Sequence, residues 1–349
     1  MKWKFTHPYR EDLSINFGKF TQIIGENKQL KYYIWQILIW YFNGKKYSIE
    51  DLSLFEQNEP VIISDESVLK RTDYKIISIS DIQDLIEQMA YKKGTVSFDY
   101  LKSKLNDFEI MGLIDAINDK LDLISSSVNQ RLNLHIGEVQ YHTESQYFNP
   151  EQLIIKNFLP YFGLGNKNIS FEFLENETKF FFFLDMISEV ACQSSSKIIL
   201  ITHNMDSYLN YSEFINCCKK MNEMTMDLQN FHVINFLSSE GYIYINKENI
   251  MNVNIVADLV EHFYEFSFMY ERFFGQYPAN EVPDEKVFLE SLQKVSSYLF
   301  SKDIAHISLS IPDIVTLKII NHLYQYDKKP RICSTMSNPL LIKFLNTYN

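Results

Sequence analysis

Short runs of apolar residues separated by polar turns mark the first eighty residues as strand and helix in alternation. "LSINF" (Leu13–Phe17) and "FTQII" (Phe20–Ile24) read as strands, with Gly18-Lys19 between them as a hairpin signal. The stretch from Asn27 to Phe42 has helical spacing and stops at Asn43-Gly44. Its Tyr, Trp and Ile residues lie all round the axis, which predicts a buried helix. Strands are expected again at Pro60–Ser64 and Tyr74–Ser80. From Asp81 to about Asn149 the period changes. Ile110, Leu113, Ile114, Ile117, Leu121 and Ile124 recur at three- and four-residue steps, the pattern of an amphipathic helical insertion. Strand–helix alternation then returns. Strands are expected at Asn168–Leu174, Lys197–Asn204, "HVINFL" (His232–Leu237) and "YIYIN" (Tyr242–Asn246), and helices at Asn176–Gln193 and Ser212–Leu228. After Val256 follow an aromatic helix over Asp258–Phe274, a helix near Glu285–Phe300, and a last α/β stretch through "HISLS", "RICST" and "PLLIKFLNTY". The expected fold class is α/β. A discontinuous head (residues 1–80 and 150–255) carries a helical arm (81–149) and a C-terminal extension (256–349).

Composition narrows the function classes. At 349 residues, 46% hydrophobic and 22% charged, the chain can build one large or two to three modest cores. Ten glycines and nine prolines leave no flexible linker. The start, "MKWKFTHPYRED", is charged where an export signal is apolar, and "YYIWQILIWYF" (Tyr32–Phe42) is too short to span a bilayer. A cytoplasmic protein without a membrane partner is expected. Cys192, Cys217, Cys218 and Cys333 show no C-x-x-C spacing and read as reduced thiols. The net charge of −11 counts against coating a polyanion with the whole surface, but leaves room for a local basic channel.

Candidate chemistry begins at "IIGENKQLKYY", which has the outline of a phosphate-binding loop, G-x-x-x-x-G-K-[ST]. Gly25, Asn27, Lys28 and Lys31 keep the frame. Leu30 stands where the second glycine belongs, and Tyr32 where the short magnesium-binding hydroxyl belongs. Lys31 can meet phosphate at a helix N-terminus or serve a structural role. "FFFFLDMI" looks like a Walker B strand, but Asp185 is only 18 positions before His203, too few for a crossover helix, a strand and two loops. Glu172, 31 positions before His203, fits that place better, and Asp185 reads as a helix-surface carboxylate. His203 follows a buried strand at the end where α/β sheets bind ligands, and reads either as a switch-like residue or as a structural histidine. "VPDEK" (Val282–Lys286) is a helix start rather than a nuclease carboxylate cluster. Lys45-Lys46, Lys92-Lys93, Lys102, Lys104, Lys219-Lys220 and Lys328-Lys329 are the visible basic features. They are solvated faces or contacts for DNA phosphates.

Together these pieces resemble the ABC/SMC ATPase head: a Walker A frame (Gly25, Asn27, Lys31), a helical insertion, Glu172 at the Walker B position and His203 as the switch. The second loop glycine, the Walker B acid pair and a Leu-Ser-Gly-Gly-Gln signature are absent. Such a degenerate head resembles the CRISPR-associated Csn proteins of type II-A systems, in their longer form. The resemblance runs to about Asn254 and is most specific in "NFGKFTQIIGENKQLKYYIWQILIWYF". It implies a non-enzymatic homotetrameric ring that encloses double-stranded DNA, binds its ends and takes part in spacer acquisition. Other adaptation proteins and the type II effector nuclease are its implied partners. No nucleotide cofactor is expected. The resemblance also allows structural calcium, which some short members hold, although no EF-hand loop or compact carboxylate cluster is evident in this sequence. A P-loop NTPase with a relaxed Walker A, and a protein–protein scaffold without DNA contact, are the alternatives.

Overall fold

Burial alternates along the first two strands, β1 (Lys2–His7) and β2 (Arg10–Asn16), which pair antiparallel and turn Trp3, Phe5, Leu13 and Ile15 inward. The next strand, β3 (Phe20–Ile24), is buried at all five positions and belongs to a different sheet. Gly18-Lys19 is therefore a crossing between two sheets and not the turn of a hairpin. A strand buried on both faces belongs inside a parallel sheet. Helix α1 (Lys28–Phe42) follows, with Asn27 as its cap. It buries Leu30, Ile34, Ile37, Leu38 and Tyr41, yet leaves Tyr32 exposed, so it is not buried all round. A short α2 (Ile49–Ser53) leads to β4 (Ile62–Ser64), which pairs with β1 and turns onto β5 (Ser67–Val68). β6 (Tyr74–Ile79) returns to the sheet of β3. This computed structural model describes residues 1–238, 242–279, 281–301, 303–304, 309–326 and 331–332.

Residues 82–195 form a unit of their own. It contains α3 (Ile82–Gln88), α4 (Val96–Leu105), α5 (Phe108–Asn129), the hairpin β7 (His135–Ile136) and β8 (Val139–Gln140), α6 (Pro150–Asn157), the hairpin β9 (Phe162–Leu164) and β10 (Lys167–Ile169), and α7 (Asn176–Gln193). Phe98, Leu105 and Ile154 form its core, where α4 packs on α6 and α7. The inserted unit is thus longer than the expected 81–149, because the head resumes only at residue 196. The expected strand at 168–174 is not one. β10 stops at Ile169, and Phe171–Phe173 close a single 3-10 turn that buries Phe171 and exposes Phe173. On α5, only Ile114 of the apolar stripe is buried. Leu113, Ile117 and Ile124 are 66%, 44% and 59% exposed.

The first unit takes up again with β11 (Lys197–His203), α8 (Tyr211–Asp227), β12 (Phe231–Phe236), β13 (Val253–Val256) and β14 (Val260–His262). Its six-stranded sheet has the order β14-β13-β3-β12-β11-β6, with all neighbours parallel except β13 and β14. The expected strand at Tyr242–Asn246 is absent from it. Instead, the buried Gln22 side chain donates to Tyr244 O (2.6 Å) and accepts from Tyr244 N–H (3.0 Å), so one side chain replaces a ladder. The aromatic stretch 258–274 divides between β14 and α9 (Phe266–Gln276). α10 (Glu285–Val295) is capped by Asp284, as expected of a helix start, and β15 (Asp303–Ile304) comes before α11 (Ile311–Leu323). β16 (Arg331–Ile332) pairs parallel with β15. α11 packs on α9 and α10, so residues 256–326 contribute an edge strand and a helical layer to the first unit rather than a separate domain. Most of "HISLS", Lys328, Lys329, Cys333 and "PLLIKFLNTY" lie outside the described residues.

Candidate functional site

The loop around Gly25 connects β3 to α1, at the carboxyl ends of the parallel strands. Gly25 has φ +123°, and a Cβ there would lie 2.3 Å from the Val256 carbonyl oxygen. Glycine is required because the end of β13 passes against the loop. Four of the loop's N–H groups are already spent within the chain. Asn27 N–H donates to Val256 O (3.1 Å), Lys28 N–H to Glu26 O (2.9 Å) and Lys31 N–H to Asn27 O (3.0 Å). Leu30 N–H donates to the Asn27 side-chain oxygen (3.0 Å), while the Asn27 amide donates to Ala257 O (3.0 Å). A phosphate cradle works by pointing such donors at an anion. Here they point into the chain.

Lys31 is buried, 7% exposed, and its ammonium donates to the Leu237 carbonyl at 2.8 Å, just past β12. Burial pushes its pKa down to about 8; Asp206 opposes the shift and Lys28 adds to it. His203 ends β11 with its ring between Trp35 (5.5 Å between centroids) and Phe236 (6.3 Å). Burial first, then the nearby Lys31 charge, lowers its pKa, with Asp206 pulling the other way, so the imidazole is neutral at pH 7. The carboxylate that accompanies Lys31 and His203 is thus Asp206, in the 3-10 turn Met205–Ser207 after β11. Its Oδ2 accepts from Ser238 Oγ, and its Oδ1 is buried without a partner among the described residues. Sequence reasoning missed Asp206, although it stands three residues beyond His203 in "THNMD". Glu172 does not take the Walker B place: it lies in the inserted unit, on the exposed 3-10 turn, while the strands flanking β11 are β12 and β6. Asp185 is exposed on α7, as read from the sequence.

The lysines expected to meet DNA are mostly engaged. Lys93 and Lys102 both reach Glu151 at 2.5 Å, and Lys104 reaches Glu189 at 2.8 Å. The two ammonium groups hold the Glu151 carboxyl at about 2, first through hydrogen bonds and then through charge. Lys219 pairs weakly with Glu223 (4.0 Å), and Lys220 is half-buried beside it on α8. The Lys45 ammonium lies 3.0 Å from the Trp40 ring centroid, leaving Lys46 and Lys92 exposed. Among the described residues, no group of three or more His, Cys, Asp or Glu could hold a metal ion. No helix among them is long and apolar enough to cross a membrane. Cys217 and Cys218 are buried and Cys192 is exposed, all as free thiols.

The family description "CRISPR-associated protein Csn2 subfamily St" matches residues 5–346. The chain belongs to the Csn2 family. Among solved structures, Stu0660 of Streptococcus thermophilus is similar to it throughout. The two share 41% identity at a TM-score of 0.91, over 99% of this chain and 100% of that one. No match was found among curated proteins. Csn2 membership assigns a CRISPR-associated role and extends the resemblance beyond Asn254 to nearly the whole chain, including the C-terminal part.

Proposed function

We propose that this Csn2 chain is a non-enzymatic, cytoplasmic, homotetrameric ring that encloses double-stranded DNA, binds its ends without sequence preference and takes part in spacer acquisition. Family membership carries the reading, and two observations support it. The phosphate loop turns its N–H donors inward and Lys31 onto Leu237 O, which disfavours nucleotide turnover. The α5 stripe leaves Leu113, Ile117 and Ile124 exposed on one helix, which a monomer gains nothing by presenting to water. Burying that stripe between copies would supply the apolar contact an oligomer needs. A ring also reconciles the net charge of −11 with DNA, since topological enclosure requires only a modest basic lining. The implied partners remain the other adaptation proteins and the type II effector nuclease.

Gel-shift titrations of linear and covalently closed duplex of equal length test the reading, with light scattering on the same protein. The expected result is a mass above that of a dimer, preference for linear DNA, and a steep loss of affinity with salt. The slope of log K against log[salt] is about −0.9 per phosphate neutralised. Equal affinity for closed circles, a slope near zero, or a mass of 41.3 kDa would overturn it. ATP turnover abolished by Lys31→Ala would favour an NTPase instead, and an oligomer that binds no DNA would favour a scaffold.

A further inference from the structure

A ladder of four rings runs from solvent into the sheet at the residual phosphate loop. Tyr32 is 51% exposed and lies 5.4 Å from Trp35, which lies 5.5 Å from His203, which lies 6.3 Å from the fully buried Phe236. The outer ring is therefore held from below by packed neighbours. Lys28 and Gln29, one turn earlier on α1, are exposed, and Lys28 shares a helix face with Tyr32 at the i, i+4 spacing. The Trp35 indole N–H is buried without an acceptor among the described residues, a donor costly to leave unpaired. Tyr32 occupies the position where a phosphate loop has its short hydroxyl, so the loop has lost a metal ligand and gained an outward-facing ring.

We propose that Tyr32, backed by Trp35 and His203 and flanked by Lys28, is a stacking platform for an unpaired base at the end of a DNA strand. Any base offers a π-face to such a ring, so the contact carries no sequence preference, in keeping with non-specific end binding. Lys28 is the cation placed to meet the phosphate of the stacked nucleotide, because Lys31 on the same loop turns inward to Leu237 O. A tyrosine exposed to such a degree does not hold the core together, so its replacement leaves the fold intact.

The inference rests on the DNA-end reading above, and the test separates the two. A linear duplex ending in a short single-stranded overhang, with 2-aminopurine in the overhang, reports stacking by quenching of its fluorescence. Wild-type protein and Tyr32→Phe are expected to quench it. Tyr32→Ala is expected to lose the quenching and bind the overhang duplex at least about fivefold more weakly, the low end of what base–aromatic stacking contributes. Blunt duplex, without an unpaired base, should bind Tyr32→Ala as it binds wild type. Lys28→Ala should lower affinity for every overhang sequence alike and reduce the salt slope by about 1. Unchanged quenching and affinity in Tyr32→Ala would overturn the platform while leaving DNA-end binding in place. A change in oligomeric mass in that variant, with quenching retained, would assign Tyr32 to a subunit contact and overturn it equally. Failure of the wild-type protein to bind any linear duplex would sink both.

Discussion

Replacing Lys31 with methionine should make the protein more stable at pH 7, which is the opposite of what a working phosphate loop demands. Lys31 is 7% exposed, and its pKa falls from 10.5 to about 8 because burial outweighs the pull of Asp206. At ~1.4 kcal/mol per pH unit, that difference costs the folded state roughly 3 kcal/mol for keeping the charge. Methionine removes this cost while filling a similar volume. It leaves the Leu237 carbonyl without its donor, a penalty of about 1–3 kcal/mol. The net expectation is a gain of up to about 2 kcal/mol at pH 7. The sign of the pH dependence is fixed by the direction of the shift. The folded pKa lies below the unfolded one, so between about 8 and 10.5 the unfolded chain binds more protons and wild-type stability rises with pH. Below about 8 the cost is present in full. The advantage of Lys31→Met should therefore shrink steadily from pH 8 upward. Urea denaturation of both proteins at one protomer concentration, at pH 7 and again near pH 9.5, measures it. A variant less stable than wild type by more than about 1 kcal/mol at pH 7 would refute the reasoning, since the carbonyl contact would then outweigh the buried charge.

Gly25→Ala should destabilise by several kcal/mol or prevent folding, since its Cβ meets backbone of Val256 and its φ of +123° disfavours any side chain; expression and thermal melting check it. Acid should weaken the fold through His232, which is 7% exposed, stacked on Phe17 at 5.3 Å, and lowered from 6.5 to about 4, first by burial and then by Lys19 and Lys197. Because that pKa is depressed, its contribution is complete above 6.5 and is lost as pH falls toward 4, by up to about 3 kcal/mol; His232→Phe should flatten the melting temperature over this window. Glu151→Ala should leave stability nearly unchanged, because its two lysine pairs are at the surface, yet free Lys93 and Lys102. If the inserted unit faces DNA, the salt slope then steepens, and an unchanged slope assigns the contact elsewhere.

How much of this was legible beforehand depends on the range of the interactions. α1, its cap and its end could be read at Asn27 and Asn43-Gly44 because helix termini are local. The strands β3, β6, β11 and β12 could be read because a continuous apolar run has few other uses. Pairing could not. Nothing in "NFGKF" says that β2 and β3 part company, since the partners of β3 are β12 and β13, more than two hundred residues away. The strand expected at Tyr242–Asn246 failed because the Gln22 amide serves its backbone, a tertiary contact without a sequence signature. At the site, Lys31 and His203 lie within electrostatic reach of each other, beside Asp206. Glu172 does not take the expected strand position, because apolar spacing around Phe171 mimics a strand in what is a 3-10 turn. The arm lysines were visible as charge, but Glu151 and Glu189, which engage them, come from distant segments.

A nucleotide is not needed to account for Gly25, Asn27 and Lys31 at the passage from β3 into α1. Gly25 is held by the close passage of β13, where any other residue would collide with backbone. Asn27 caps α1 and ties it to Ala257, so its loss would free two polar groups at once. Lys31 fastens α1 to the chain leaving β12 through Leu237 O. Each of these three positions therefore joins the central strand's exit to one of its two neighbours. Leu30 is buried in the core and Tyr32 faces solvent, and neither position carries such a joint. Gly25 and Asn27 fix the loop's shape by tying β3 and α1 to the end of β13, whereas Lys31 links α1 to the chain leaving β12 at a net cost in stability while its charge is kept. Leu30 and Tyr32 stand where a working loop would need a glycine and a short hydroxyl to admit phosphate and magnesium.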